Sequence, residues 1–355
     1  MKVDTIFEFV RFSMDDATTK FRPTEELDWE QLFDFAKKQA IVGIMYHGIE
    51  KMAGDQKPPR PLLMKWFMTV EKLKAKNQKL NEKAIKVAAQ YSKDGFKCCI
   101  LKGQGNAMMY PNPWMRTPGD VDIWVSGSRA DIMSYVKEHY PKVKVRYYHS
   151  EYHENGIPVE AHFMPGIMNN PLYNRRLQRY YAKKQEEQCS HWIDLPDGVG
   201  KIPVPTTDFN IVFQLSHMMH HFFDEGIGLR QMMDYYYLLR KAKGQTNGEE
   251  LKAQLRYLNL YHFAGAVMYV MKSVFNLADE YLIVPVDESR GITLMDEICK
   301  GGNFGHYSGL TKHSTGVKYL LKNWRSLQLI CEYPAEALSE PLFRTYHFLW
   351  RIRNK

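Results

Sequence analysis

One stretch of the sequence decides the fold class: Gly119-Asp120-Val121-Asp122-Ile123-Trp124-Val125. The apolar residues favour a β-strand, and side chains alternate between the two faces of a strand, so Asp120 and Asp122 project from the same side. Two neighbouring carboxylates repel each other unless a cation lies between them. The usual cation is a hard divalent ion with oxygen ligands. Taken alone, the pair is equally compatible with two alternatives, a metal site and two solvated aspartates at a strand edge.

The segment upstream predicts a phosphate grip. An apolar strand, Lys97-Cys98-Cys99-Ile100-Leu101, ends in the turn Lys102-Gly103, and a short helix follows until Pro111. A strand that runs into a helix N-terminus presents backbone N–H groups and partial positive charge to a phosphate. Lys102 would add a mobile cation there. The alternative interpretation is an ordinary turn with a solvated lysine.

The segment downstream supplies a third acid. In Gly156-Ile157-Pro158-Val159-Glu160-Ala161-His162-Phe163, Glu160 and His162 share one strand face. A carboxylate on a neighbouring strand would complete an all-oxygen site for one or two magnesium ions. A helix near Arg129–His139 and a strand at Val143–Tyr148 are predicted between the two acidic strands.

Together these motifs resemble a known family. Leu101-Lys102-Gly103, Tyr110-Pro111, Arg116, the Asp120–Asp122 pair and Val159-Glu160-Ala161-His162 resemble the uncharacterised bacterial nucleotidyltransferases of the polymerase-β-like superfamily. The resemblance implies that Asp120 and Asp122 ligate Mg²⁺ and that Glu160 positions or deprotonates the attacking hydroxyl. It also implies that Lys102 and Gly103 form a variant of the usual Gly-Ser phosphate turn.

The resemblance implies magnesium-dependent transfer of a nucleoside monophosphate from NTP to a hydroxyl of a small molecule or a protein. Arg116, in the loop before the acidic strand, is expected either to clamp a phosphate or to be a solvated loop residue. An alternative is a nucleotide-binding regulatory module that has the same fold and little or no catalysis. A metal-dependent hydrolase is a more distant third hypothesis.

Composition is that of a globular protein that binds an anion. The chain has 355 residues, of which 45% are hydrophobic and 25% are charged, and its net charge is +8. This charge suits NTP or a phosphorylated acceptor. Nucleic acid is possible but not favoured, because the aromatic residues have the spacing of helix cores. The five cysteines have no metal-site spacing, and no apolar run spans a bilayer, so a cytoplasmic protein is expected. The acceptor and the oligomeric state do not follow from the sequence.

The predicted fold is α+β, with a small mixed-sheet nucleotidyltransferase core between two helical regions. The predicted boundaries are a helical N-terminal region at 1–95, the core at 96–204 and an α-helical C-terminal domain at 205–355. In the first region, Asp28 and Gln31 predict a helix start, with the helix continuing to Met52. A Lys-rich amphipathic helix is predicted from about Leu62 to Lys93.

Three features of the C-terminal region have no role that the resemblance assigns. His217 and His221 are four residues apart on a predicted helix, a spacing that is compatible with zinc, although a packing or cleft-lining role is favoured. Arg230 and Asp234 are expected to form a salt bridge within one helix. The Gly301–Gly305 loop lacks the strand–loop–helix context of a phosphate loop and is expected to be a connector.

Overall fold

The computed structural model describes residues 1–14, 21–22, 25–307 and 314–353, and it has a mixed α+β architecture. The fold class predicted from the sequence, a small mixed sheet flanked by helices, is confirmed. The predicted N-terminal and C-terminal regions include residues 15–20, 23–24, 308–313 and 354–355, which lie outside the described ranges. Within these ranges, no helix combines the length and the apolar character needed to cross a bilayer.

The bounds of the elements are as follows. The first helices are α1 (Val3–Met14), α2 (Trp29–Gln39), α3 (Val42–Lys51), α4 (Arg60–Lys93), α5 (Gly103–Ala107), α6 (Arg129–His139) and α7 (Pro171–Ser190). The later helices are α8 (Thr207–Asp224), α9 (Leu229–Ala242), α10 (Gly248–Tyr257), α11 (Tyr261–Phe275), α12 (Glu288–Gly301), α13 (Thr315–Gln328) and α14 (Pro334–Arg353). The strands are β1 (Cys98–Leu101), β2 (Val121–Val125), β3 (Lys144–Val145), β4 (His149–Glu154), β5 (Ile157–His162), β6 (Trp192–Asp194) and β7 (Lys201–Pro203). Short 3₁₀ helices lie at Gly54–Gln56, Pro113–Met115, Pro196–Gly198, Asp279–Tyr281 and Asn303–Gly305.

The central sheet has the strand order β1-β2-β5-β4-β3. Only the β2–β5 pair in it is parallel, with α6, β3 and β4 in the connection between the two strands. The predicted helix at Arg129–His139 is confirmed, and a strand lies within the predicted Val143–Tyr148 but is shorter, at Lys144–Val145. Only Lys144 and Val145 of that stretch pair with β4, because the chain turns there and starts its long strand at His149.

The two faces of the sheet meet different surroundings. Val121, Ile123 and Val125 of β2 belong to a buried cluster with residues of α4 and α6. On the other face, Trp124 stacks on Phe209 of α8 with the ring centroids 5.6 Å apart. Because side chains alternate along a strand, Asp122 lies on the same face as Trp124. The acidic face is therefore the one that the C-terminal helices cover.

The long helix α4 supports the opposite face of the sheet. The helix starts at Arg60, two residues before the predicted Leu62. Pro61 lies in its first turn, where a proline costs no internal hydrogen bond. Leu80, Ala84, Val87 and Tyr91 recur every three or four residues and are buried against the sheet. The predicted end at Lys93 is confirmed.

The helix predicted from Asp28 to Met52 is instead two helices. Its start is confirmed, because the Asp28 side chain accepts a hydrogen bond from the Gln31 N–H at 2.9 Å. Ala40 then adopts a left-handed conformation with φ 56°, and the N–H of Ile41 bonds back to the carbonyl of Ala36. This geometry ends a helix, and it usually requires glycine or asparagine. Neither residue stands at this position, so the sequence showed no break.

The N-terminal and C-terminal helices share one hydrophobic cluster. This cluster runs from α1, through α2 and α3, to α8, α9 and α11. Arg11 of α1 reaches across it, and its Nε donates to the carbonyl of Val274 in α11 at 2.9 Å. The boundaries at residues 95 and 204 stay a prediction, and the packing joins the regions on either side of them.

The last helix is attached to the start of α7 through a buried carboxylate. Glu336 of α14 accepts hydrogen bonds from the backbone N–H groups of Asn169 and Asn170, at 2.7 and 3.2 Å. Burial raises the pKa of Glu336 to about 7, against the opposing effect of these two donors. Asn170 caps α7, so Glu336 connects α14 to the cap of another helix.

This carboxyl group predicts a pH dependence of stability. Glu336 takes up its proton at a higher pH in the folded chain than in the unfolded chain, whose ordinary value is 4.5. Stability therefore falls as pH rises from 4.5 to 7, by about 3 kcal/mol from this group. In urea titrations, Glu336→Gln should remove this fall and Glu250→Gln, at an exposed position, should keep it. Parallel pH profiles for the wild type and Glu336→Gln would contradict the assignment.

Candidate active site

Strand pairing brings the predicted acids together. Asp122 of β2 lies directly opposite Glu160 of β5 in the parallel register, so both side chains are on the same face. Asp120, just before β2, projects to that side as well. Oxygen atoms of all three carboxylates lie within 4.8 Å of one another. The three predicted acids therefore form one cluster.

Lys102 provides a cation beside this cluster. Its Nζ lies 2.9 Å from Asp122 Oδ1 and 3.3 Å from His217 Nε2. Burial opposes its charge, but Asp122 and Asp120 raise the pKa of Lys102 above its ordinary value. The backbone at Lys102 has φ 50° and ψ −133°, a conformation that costs a residue with a side chain roughly 1–3 kcal/mol. Such strain is typical of functional sites.

The predicted phosphate turn is short. Gly103 has a positive φ of 32° and starts α5, which has only five residues. The N–H of Asn106 bonds to the carbonyl of Lys102 at 3.1 Å, which fixes the turn. Lys102, Gly103 and the acids all line one cavity of about 1170 Å³. The predicted grip and the acid cluster thus face the same space.

Two histidines complete the charge pattern. His162 Nε2 lies 3.0 Å from Asp122 Oδ1 and 3.3 Å from Glu160 Oε2. Burial disfavours its charge, but hydrogen bonds to Asp122 and Glu160 raise the pKa of His162 to about 9. His149 Nε2 lies 3.5 Å from Glu160 Oε1, and burial lowers the pKa of His149 to about 3. One imidazole is therefore cationic and the other neutral.

The three carboxylates differ in their protonation. Burial and the charges of Asp122 and Glu160 raise the pKa of Asp120 to about 6. For Asp122, burial acts in the same direction, but Lys102 and His162 outweigh it and hold the pKa of Asp122 below its usual range. The pKa of Glu160 is likewise lowered, because hydrogen bonding from His162 and the nearby His149 outweigh burial. The neighbouring cations thus stabilise the charge of Asp122 more than the charge of Asp120.

The donor set fits a hard divalent ion. Asp120, Asp122 and Glu160 offer convergent carboxylate oxygens, the ligands that Mg²⁺ prefers. The raised pKa of Asp120 is the mark of a carboxylate whose negative neighbours are incompletely neutralised. A second group, His149, Glu160 and His162, also has ligand atoms within 4.8 Å of one another. It shares Glu160 with the first group, so the two belong to one centre.

Arg116 is buried in an ion pair. Its Nε and Nη2 bind the two carboxylate oxygens of Asp234 at 2.8 and 2.7 Å, and Tyr110 donates to the same carboxylate at 2.7 Å. The solvated alternative for Arg116 is therefore wrong, since only 4% of the residue is exposed. The fork that was predicted to clamp a phosphate binds a carboxylate, although Arg116 also lines the cavity.

Asp234 consequently has a different partner from the one expected. Burial opposes its ionisation, but Arg116 holds the pKa of Asp234 below its ordinary value. Arg230, the predicted partner one turn earlier in α9, donates from Nε to Asn303 Oδ1 at 3.3 Å. The loop residue Arg116 takes the place of Arg230 as the partner of Asp234, because the planar guanidinium of Arg116 binds the carboxylate in a bidentate geometry. The expected salt bridge within α9 is thus wrong.

His217 and His221 lie on one face of α8, as predicted, and line the cavity. His217 receives a hydrogen bond from Lys102, because burial and Lys102 lower its pKa well below the ordinary value. His221 Nδ1 lies 3.5 Å from Glu225 Oε2. Neither histidine belongs to the ligand clusters found in the described part of the chain. The cleft-lining role is therefore the one that these contacts support.

Sequence reasoning missed His149. It lies opposite His162 in the β4–β5 register, just as Glu151 lies opposite Glu160. The signal was the mirrored order His149-Ser150-Glu151 and Glu160-Ala161-His162, which places like residues side by side in an antiparallel pair. It became visible only with the register, because the predicted strand ended before His149.

The ion pair predicts a large stability effect. Arg116→Met should lower the free energy of unfolding by about 3–5 kcal/mol, because it leaves the Asp234 carboxylate buried without its cation. Adding Asp234→Asn should recover most of this loss, since the uncompensated charge is then gone. Urea denaturation measures both effects.

The matched control for this experiment is Arg240→Met, because Arg240 is an exposed arginine of α9. It should change stability by less than about 0.5 kcal/mol. If Arg116 served a ligand phosphate alone, Arg116→Met would match this control in stability and weaken nucleotide binding only.

Comparisons with known proteins identify the family to which the chain belongs. No curated protein matches the chain. A solved structure, an antigenic nucleotidyltransferase-like protein from Paracoccidioides brasiliensis, is similar over 62% of this chain and 96% of that chain, with 11% identity and a TM-score of 0.33. A family model described as "Uncharacterised nucleotidyltransferase" matches residues 25–276, which is more than half of the chain and includes the whole acid cluster. The chain therefore belongs to this nucleotidyltransferase family.

Proposed function

We propose that this protein is a magnesium-dependent enzyme that transfers a nucleoside monophosphate from NTP to a hydroxyl group of a small molecule or a protein. The observation that carries the proposal is the convergence of Asp120, Asp122 and Glu160 beside Lys102 in one cavity. Family membership supports the reaction class. The magnesium ion, the nucleotide and the acceptor are the parts that we infer.

The reaction is a substitution at the α-phosphorus. The acceptor oxygen forms a bond to this phosphorus, the bond to the β-phosphate oxygen breaks, and pyrophosphate leaves with the electron pair. Bound Mg²⁺ would neutralise phosphate charge and acidify the attacking hydroxyl. Asp120, Asp122 and Glu160 would hold the ion.

The protein side chains position the reactants. Lys102 is bound to Asp122 and lies beside the predicted phosphate turn, so its ammonium can shift toward a phosphate oxygen when a cation takes its place on the carboxylate. Glu160 would accept a hydrogen bond from the acceptor hydroxyl and receive its proton on attack. His162 contacts both Asp122 and Glu160 and fixes the two carboxylates relative to each other.

The contact between Lys102 and Asp122 also favours a second candidate. An ammonium at 2.9 Å from Asp122 competes with a metal ion for the same oxygen. A regulatory module would retain this ion pair and bind nucleotide without transferring it. The two candidates differ in whether labelled nucleotide reaches an acceptor.

The first test removes two metal ligands. Asp120→Asn with Asp122→Asn should abolish Mg²⁺-dependent NTP binding and lower transfer roughly 10³-fold, because several kcal/mol of charge stabilisation are lost. Transfer is measured with α-labelled NTPs against a panel of metabolites and proteins, together with pyrophosphate release. Asp194→Asn, at an exposed position on β6, is the matched control and should behave as the wild type.

Two results of this test would count against the enzyme. Transfer by the double variant at the wild-type rate would remove the acids from the mechanism. Binding of Mg²⁺-NTP by the wild type, with no transfer and no pyrophosphate release across the panel, would favour the regulatory module.

A further inference from the structure

The first turn of α9 forms a wall of the cavity that holds the acids. Arg230, Gln231 and Asp234 line the cavity from this helix. Asp234 is paired with Arg116, as described above. Arg230 has no carboxylate within ion-pair distance among residues 1–14, 21–22, 25–307 and 314–353. Its positive charge therefore faces the cavity without a direct salt bridge in the described chain.

The guanidinium of Arg230 is held in place. Its Nε donates to Asn303 Oδ1 at 3.3 Å, and its central carbon lies 5.2 Å from the centroid of the Phe304 ring. Burial and the neighbouring Arg116 lower the pKa of Arg230, and Asp234 acts in the opposite direction. An arginine held in this way without an acid is suited to a bidentate anion such as a phosphoryl group.

The Gly301–Gly305 loop explains how Asn303 and Phe304 reach this position. A Cβ on Gly305 would lie 1.7 Å from the carbonyl oxygen of Glu225, and a Cβ on Gly228 would lie 2.7 Å from Asn303 Cα. The loop is thus seated directly on the turn that precedes α9. The connector expected from the sequence also supports Arg230.

Gln231 provides an independent second observation. It is only 7% exposed, and its Oε1 accepts from the N–H of Gly228 at 3.1 Å. Its Nε2 is buried and has no hydrogen-bond partner, while the residue lines the cavity. An unpaired buried donor destabilises the folded chain, and an acceptor on a ligand would remove that cost. The positive end of α9, a helix of fourteen residues, adds a favourable field for an anion.

We infer that Arg230 and Gln231 bind the phosphoryl groups of the substrate, namely the β- and γ-phosphates of NTP. This inference rests on the proposed function, since it places the leaving pyrophosphate on the first turn of α9 and the α-phosphorus at the acids. Negative charge grows on the pyrophosphate as the bond between the α-phosphorus and the bridging oxygen breaks. Arg230 is the cation positioned to stabilise this charge. A phosphate of the acceptor is the other source of the same chemistry.

The test measures binding by calorimetry in Mg²⁺, with inorganic tripolyphosphate, ATP, GTP and the corresponding monophosphates. Arg230→Gln should weaken tripolyphosphate and triphosphate binding about ten-fold or more and monophosphate binding less than about two-fold. Arg240→Gln, at the exposed end of the same helix, should leave all affinities unchanged. Thermal melts show whether each variant is folded.

A second variant covers the case in which Arg230→Gln does not fold. Asn303→Ala keeps the guanidinium and removes its anchor, so tripolyphosphate affinity should fall by about three-fold to ten-fold. If Asn303→Ala binds tripolyphosphate like the wild type in that case, the inference is overturned.

The outcomes separate this inference from the proposed function. Loss of both tripolyphosphate and NTP binding in Arg230→Gln supports the site and assigns it to the nucleotide. Arg230-dependent binding of tripolyphosphate by a protein that binds no NTP also supports the site, but assigns it to a phosphorylated acceptor and refutes the proposed function. No tripolyphosphate binding by the wild type, or equal binding by Arg230→Gln, overturns the inference whatever the nucleotide results.

Discussion

The parallel pairing of β2 with β5 is the constraint on which the rest of this structure depends. It sets Asp122 opposite Glu160, and the alternation of side chains then directs both carboxylates to one face. A shift of the register by one residue would turn Glu160 toward the apolar core and bring Val159 or Ala161 into the cleft. The apolar residues between the acids prevent this shift, because they fill the cluster beneath α4 and α6. The core and the acid cluster thus specify the same register.

Charge balance shapes the surroundings of this cluster. Lys102 and His162 hold Asp122 ionised, while Asp120 remains the least stabilised of the three acids. Around them, Arg116 in the cavity wall has an acidic partner, whereas Arg230 has no carboxylate within ion-pair distance in the described chain. The first fixes the loop before β2 against α9, and the second leaves a positive group directed at the ligand space. The acids of this site could hold a metal ion, and the positive groups beside them have the charge that an anion requires.

Much of the fold followed from the sequence because its signals were local. Alternation predicted β2 and the shared face of Glu160 and His162, and the amphipathic pattern predicted α4 to within two residues. The errors came from interactions that are distant in sequence. Asp234 has its ion pair with Arg116, 118 residues away, and not with Arg230 on its own helix. The break at Ala40 and the start of β4 at His149 were missed because no turn residue marks them. His149 could be recognised only when the strand register was known.

The cluster that joins α1 to α11 has a consequence for how this protein folds during synthesis. Arg11 reaches a backbone carbonyl in α11, so α1 and α11 stabilise each other although they are far apart in the sequence. The two partners are 263 residues apart, so during synthesis this contact forms only after α11 has emerged. The part of the apolar surface of α1 that α11 covers stays exposed until then, and transiently exposed apolar surface promotes aggregation.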